Sequence, residues 1–176
     1  MNTEPIYYAQ MSSPVGLLVL TGDHNGLREV RFEQEHRSRM LLELCCHGPQ
    51  HLIEPMRQLE EYFAGARQSF DLKLNLIGTA FQLDVWHALA EIPYGVTTSY
   101  ARVSQRIERP RANRAVGAAN GLNPIPIILP CHRVIGSNGS LTGFGGGLPA
   151  KQWLLAHEAR HQRGEARTGP TAAGWV

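Results

Sequence analysis

A chain of 176 residues, 43% hydrophobic and with a net charge of +2, can bury a core and reads as one domain or two small ones. No apolar run approaches the roughly 18 residues that span a bilayer. Met1-Asn2-Thr3-Glu4-Pro5 has neither the basic start nor the apolar stretch of a signal peptide. Three cysteines make no disulfide framework, so a reducing, cytoplasmic setting is expected.

The first third reads as strands. Val15–Thr21 is rich in β-formers, and Leu27–Phe32 alternates apolar with charged side chains. Between them Asp23-His24-Asn25-Gly26 supplies residues that tolerate a hairpin turn. Met56, Leu59, Tyr62 and Phe63 recur at helical spacing and predict a helix over 53–64, ended by Gly65. Phe70, Leu72, Leu74 and Leu76 alternate with polar residues and predict an extended segment. Cys45 and Cys46 read as half-buried residues of a helix. With His24, His36, His47 and His51 they match no zinc spacing, so no metal is expected.

Ile77-Gly78-Thr79 marks a boundary. Thr79 can cap a helix over 80–90. After Pro93-Tyr94-Gly95, Thr98-Ser99 opens a short helix through Ile107, Arg109-Pro110-Arg111 turns, and 112–119 is helical again, stopping at Asn120-Gly121. Two short helices about a tight turn make a helix-turn-helix. A last helix over 150–161 carries Trp153, Leu154, His157 and Glu158, and a loose tail is expected beyond Gln162. The division is an α/β domain over 1–77, a mainly α domain over 78–165 and a tail over 166–176.

Charge follows that division. Residues 1–77 hold seven Lys/Arg against ten Asp/Glu, and residues 78–165 hold nine against five. Arg102, Arg106, Arg109, Arg111 and Arg114 crowd the helix-turn-helix, opposed only by Glu108. Such a run is either a solvated face or a surface for nucleic-acid phosphate. After Arg114 the second helix offers only Ala115, Val116, Gly117, Ala118 and Ala119, with no long side chain to read a base edge. Small residues suit either packing on a neighbour or close approach to DNA without sequence readout, with Arg114 as a wedge.

Pro130-Cys131-His132-Arg133 carries the chemistry. Cys131 is the candidate nucleophile, and His132 the candidate base, directly or through a water. Glu158 on the last helix is the acid favoured to orient it. Asn123 can tie down the segment leading to Cys131 through its amide, and Pro124 and Pro126 stiffen it. A buried structural Cys131 beside a surface histidine is the bland alternative.

Pro130-Cys131-His132-Arg133-Val134-Ile135-Gly136 resembles the active-site signature of the O6-alkylguanine-DNA alkyltransferase family. The resemblance extends from Thr79 to Glu158 through Ile92-Pro93-Tyr94-Gly95, Ser99-Tyr100, Arg114–Asn120, Asn123-Pro124-Ile125-Pro126, Thr142–Leu148 and Trp153–Glu158. It implies a small antiparallel sheet plus helix of ribonuclease-H type, followed by a winged helix-turn-helix. It also implies direct repair of O6-alkylguanine in double-stranded DNA, with O4-alkylthymine a further candidate. The guanine is flipped into a pocket and its alkyl group passes irreversibly to Cys131, without cofactor, by a monomer whose cooperation along DNA stays open.

By the same resemblance His132 takes the thiol proton through a water and Glu158 orients His132. Tyr100 presses on the target phosphate and donates to the base, Arg114 fills the gap in the stack, and Asn123 holds the turn against the active-site loop. Ala115, Gly117, Ala118 and Ala119 face the minor groove, and Arg133 joins the DNA contacts. Carbonyls of Cys131 and Val134 read the guanine edge, the Gly145 amide faces O6, and Pro126 and Phe144 complete the pocket. Phe144 stands where many members have tyrosine, and Gly145 where some have serine. Three other readings are a lesion sensor of the same fold, which lacks the cysteine, a Cys-His-Glu hydrolase, and a DNA-binding regulator with a structural Cys131.

Overall fold

In the computed structural model, which describes residues 5–33 and 45–162, the chain divides into two units, Met1–Ile77 and Gly78–Val176. The first holds a four-stranded sheet of β1 (Tyr7–Ser13), β2 (Gly16–Asp23), β3 (Gly26–Phe32) and β4 (Cys46–His47), in the order β3-β2-β1-β4. Ala9 and Met11 are buried while Gln10 and Ser12 are exposed, the period-2 signal of a strand covered on one face. That signal lay in the sequence ahead of the first expected strand.

The turn between β2 and β3 forms as its residues predict. Asn25 N donates to Asp23 Oδ1 at 2.8 Å, and Asp23 also accepts from Asn75 Nδ2 at 2.9 Å and Arg28 Nη1 at 3.2 Å. Gly26 has φ +137°, and a Cβ there would lie 2.3 Å from the Lys73 carbonyl oxygen. Glycine is therefore required by both backbone conformation and close approach.

Two expectations for this unit need correction. The sheet is mixed rather than antiparallel, because β4 runs parallel to β1, with Cys46 N on Ile6 O at 2.8 Å and Gly48 N on Tyr8 O at 3.1 Å. Cys45 and Cys46 are accordingly not helical: backbone pairing with β1 draws this short piece into the sheet. Cys46 is exposed and Cys45 half-buried. His47 and His51 pack against Tyr8 and Tyr7.

Helix α1 (Ile53–Phe63) buries Gln58, Leu59 and Tyr62. The Gln58 amide substitutes for a strand neighbour, donating to Asp71 O at 2.8 Å and accepting from Asp71 N at 2.9 Å. The alternating segment 70–76 is thus held extended, and it joins the sheet through an isolated bridge, Leu27 to Leu74, with Leu27 N on Lys73 O at 2.9 Å and Asn75 N on Leu27 O at 2.8 Å.

The second unit is mainly helical. Helix α2 (Ala80–Ala90) starts in a capping box, with Thr79 N donating to Gln82 Oε1 at 2.8 Å and Gln82 N to Thr79 Oγ1 at 3.3 Å. It buries Val85, Trp86, Ala88 and Leu89. Helices α3 (Tyr100–Arg106) and α4 (Asn113–Gly121) form the helix-turn-helix. Ser104 Oγ bonds Asn113 Oδ1 at 2.6 Å across it, and Trp86 Nε1 donates to Ala119 O at 2.9 Å. Helix α4 runs through Asn120-Gly121 instead of stopping there, since Leu122 N still reaches Ala118 O at 3.1 Å.

The strands β5 (Thr98–Ser99) and β6 (Val134–Ile135) make a two-residue parallel ladder beside these helices. Helix α5 (Gly147–His161) begins three residues earlier than its apolar spacing indicates, with Pro149 in its first turn, where a missing N–H is tolerated. Among the described residues no helix is long and apolar enough to cross a membrane. His36 and the expected tail beyond Gln162 lie outside the described residues.

Candidate active site

The segment that ends in the thiol is buried without a break from Ile125 to Val134. Two prolines remove backbone donors from it, and Asn123 satisfies part of what remains. Its Oδ1 accepts from Ile125 N at 3.0 Å, and its Nδ2 donates to Leu129 O at 2.7 Å, so one side chain ties both ends of the arm. Ile127 has φ +78°, a left-handed conformation that costs a β-branched residue energy and persists only where surroundings fix it. Cys131 N then donates to Leu129 O at 2.7 Å and opens the 3-10 turn Cys131–Arg133, which continues into β6. Through the ladder Thr98–Val134 and Ser99–Ile135, the thiol segment is registered against the start of α3.

Helix α5 supplies the other wall. Lys151, Leu154, His157 and Glu158 recur at three to four residues and are all buried. His132 Nε2 lies 2.8 Å from Glu158 Oε1. Arg133 donates from Nε to Glu158 Oε2 at 2.9 Å and from Nη2 to Oε1 at 2.8 Å, while Gly95 N donates to Oε2 at 2.9 Å.

Burial opposes charge on Glu158, yet His132 and Arg133 together hold its carboxyl far below the usual carboxylate range. An ionised carboxylate only accepts, so Nε2 of His132 carries the hydrogen and donates. Nδ1 is then the nitrogen with a free lone pair, and it has no hydrogen-bond partner among the described residues. Burial also pulls the His132 pKa down, which keeps the ring neutral and able to act as a base. Burial pushes the Cys131 thiol up to about 11, against the Asn123 amide and Lys151, which pull it down. The cysteine therefore rests as a thiol and ionises only when a base takes its proton.

Comparison with known proteins agrees with this geometry. Residues 80–160 match the 6-O-methylguanine DNA methyltransferase DNA-binding domain, and residues 6–76 match the ribonuclease-like domain of the same enzymes. The chain is 48% identical over 153 residues to a methylated-DNA–protein-cysteine methyltransferase of Methanosarcina acetivorans, covering 87% of this chain and 98% of the relative. The chain belongs to the O6-methylguanine DNA methyltransferase family. The crystal structure of the Mycobacterium tuberculosis O6-methylguanine methyltransferase superposes with a TM-score of 0.82 at 44% identity, covering 89% of this chain and 94% of that one. A structure of the M. tuberculosis protein in complex with DNA gives 0.80 at 46% identity, covering 88% and 94%.

Against this family pattern, the expected site residues fall into three groups. Cys131, His132, Glu158 and Val134 come together in one buried cluster with Pro126 in the same arm, and the half-buried Asn123 borders it. Tyr100 sits at its edge, Oη 2.6 Å from Thr142 Oγ1, and Phe144 meets His132 edge-on at 6.3 Å. Gly145 is exposed, with nothing within 4 Å of where a Cβ would be, so serine would fit there. On α4, Arg114, Ala115 and Ala118 are exposed and Gly117 is half-buried, its missing Cβ 3.9 Å from the Tyr100 ring. Ala119 differs: it is buried, its carbonyl held by Trp86.

Arg133 is the clear departure. Expected among the DNA contacts, it is buried, bidentate on Glu158, bonded to Ile92 O and stacked over the Tyr94 ring at 5.6 Å. A guanidinium so engaged positions the glutamate instead of reaching phosphate. Lys151 is the residue sequence reasoning missed. It lies on the α5 stripe with Leu154 and Glu158, but its charge disguises a fully buried position.

Proposed function

We propose that this protein repairs DNA by moving an alkyl group from O6 of guanine onto Cys131, and that it does so once per molecule. One observation carries the reading. A buried thiol stands beside an imidazole whose Nε2 is locked on an ionised glutamate, leaving Nδ1 to take the thiol proton. The Cys131 Sγ attacks the alkyl carbon as the O6–C bond breaks, and the guanine leaves with the electron pair. The proton taken by His132, directly or through a water, offsets the negative charge of the departing base. The product is a thioether on saturated carbon, which water does not cleave as it would a thioester.

Supporting the DNA partner is α4, whose exposed Arg114, Ala115 and Ala118 allow backbone-close approach without base-edge readout. A target inside a stacked duplex must be flipped to reach a buried thiol, and the exposed Arg114 fills the gap it leaves. Tyr100 at the rim donates to the base as charge develops on it, and the carbonyls of Cys131 and Val134 with the Gly145 amide contact its edge. Residues 1–77 and 78–165 act as two domains, and a reducing, cytoplasmic setting keeps Cys131 free.

The test is incubation with a duplex carrying methyl-labelled O6-methylguanine. One label per protein, on the Cys131 peptide, is the expected result; no label on folded protein overturns the reading. Repeated turnover of a thioester or ester would instead indicate a hydrolase. Arg114→Ala should slow transfer from duplex DNA by about tenfold while leaving transfer from the free alkylated base unchanged. Equal rates on duplex would remove the wedge role from Arg114.

A further inference from the structure

Thr142, at the rim of the site, has no task in the chemistry above. In the run Leu141-Thr142-Gly143-Phe144-Gly145-Gly146-Gly147-Leu148 it alone carries a side-chain hydrogen-bonding group. Its Oγ1 lies 2.6 Å from Tyr100 Oη, and among the described residues neither hydroxyl has another hydrogen-bond partner. Both side chains are half-buried. The backbone on each side of the pair is fixed. Tyr100 opens α3 directly after Ser99, which pairs with Ile135 in the β5–β6 ladder and caps the helix, its Oγ accepting from Arg102 N at 3.3 Å. Thr142 O accepts from Lys151 Nζ at 3.2 Å. The Tyr100 ring also lies along α4, its nearest carbons 3.9 Å from the place of a Gly117 Cβ. The phenol thus stands between α4 and the glycine-rich loop, and the one hydroxyl of that loop holds its tip.

Resting on the proposed transfer, we propose that Thr142 is a positioning residue for Tyr100: its hydroxyl fixes Oη and donates to it while Tyr100 donates to the flipped base. A hydroxyl has one hydrogen and two lone pairs, and either member of this pair can be the donor. While the Tyr100 hydrogen points at Thr142, it has nothing to give a base. Reversing the bond needs only rotation of two O–H groups: Thr142 then donates to Oη, and the phenol hydrogen turns toward the site. As guanine leaves with the electron pair, negative charge grows on it and draws the Tyr100 hydrogen. Oη becomes more negative in turn, and the Thr142 hydrogen binds it more strongly, because hydrogen bonds in a chain polarise one another. No proton has to leave Thr142, which acts through Tyr100 and not on the thiol. With a methyl in place of Oγ1, the phenol would lose both its fixed orientation and its second hydrogen.

A double-mutant cycle on single-turnover transfer from the methyl-labelled duplex tests this. Thr142→Val keeps the shape and loses the hydroxyl; it should slow transfer about tenfold, and Thr142→Ala about as much. Thr142→Ser keeps the hydroxyl and should stay within about threefold of the parent. In a Tyr100→Phe background, Thr142→Val should change the rate by less than about twofold, because the group it serves is gone. The same tenfold loss in that background would mean that Thr142 only shapes the loop, and would overturn the proposal. So would a Thr142→Val protein as fast as the parent, or failure of both Thr142→Val and Thr142→Ala to fold, which would give the hydroxyl to the fold. Alkylation of Cys131 by iodoacetamide, without DNA, should be equal in parent and Thr142→Val proteins; a matching tenfold loss there would move the effect to the thiol and contradict the role. The labelled duplex keeps the two readings apart. A parent protein that takes no label contradicts the repair function itself, whereas a labelled parent with an equally fast Tyr100→Phe protein removes only Tyr100 from the reaction, and Thr142 with it.

Discussion

Cys131→Ser protein should bind a duplex containing O6-methylguanine as tightly as the parent and transfer nothing to itself. The exchange of Sγ for Oγ is nearly isosteric, and the Asn123 amide that favours the thiolate stands ready to bond a hydroxyl. Stability should therefore change by no more than about 1 kcal/mol. Reactivity is another matter. A hydroxyl is far less acidic than a thiol, and His132, kept neutral and weakly basic by burial, has no means of ionising it. The loss in single-turnover rate should be at least about 10³-fold. Gel-shift affinity measured beside radiolabel transfer separates the two effects. Label on the Cys131→Ser chain at Cys45 or Cys46, or a parallel loss of lesion binding, would contradict this assignment.

Much of the fold that supports this site was legible because it depends on near neighbours. Thr79 and Gln82 announce a capping box three residues apart, and Asp23, Asn25 and Gly26 announce a turn. The signature around Cys131, the asparagine eight residues before it and the Glu158 helix could all be read the same way. What could not be read depends on distant partners. Cys46 and His47 become strand because β1 lies alongside. Arg133 looks like one more basic residue in a basic domain until Glu158, Ile92 O and the Tyr94 ring enclose it. Lys151 has the spacing of a core position and the composition of a surface one, and burial of its ammonium follows from carbonyls that only the folded loops bring near. Ala119 shares the small-residue run of α4, yet it is buried, with its carbonyl held by the Trp86 indole.

Those distant partners set the second large effect, Glu158→Gln. The substitution preserves shape and removes a charge that His132, Arg133 and Gly95 all address. Arg133 is left buried with a neutral partner, and breaking a buried ion pair from one side typically destabilises by about 3–5 kcal/mol. That is a large share of the roughly 5–15 kcal/mol that holds a domain together. Urea titration should show it as a lower midpoint at an unchanged slope. Acid sensitivity adds a signature with a definite sign. The parent carboxyl titrates below its unfolded value, so its contribution is present above about pH 4.3 and is lost as the pH falls through its depressed folded value. Glu158→Gln lacks that contribution at every pH, so the gap between parent and variant should be widest near neutrality and close only in strong acid. His132 works in the same direction in the parent: it is buried neutral, and the unfolded chain binds its proton first as the pH drops below about 6.5. The glutamine also replaces an acceptor-only carboxylate with an amide that can donate as well as accept, so the Nε2–H tautomer is no longer fixed and transfer to any surviving folded protein should slow as well. A variant within about 1 kcal/mol of the parent at pH 7 would mean that the carboxylate is not what holds Arg133 and His132 in place.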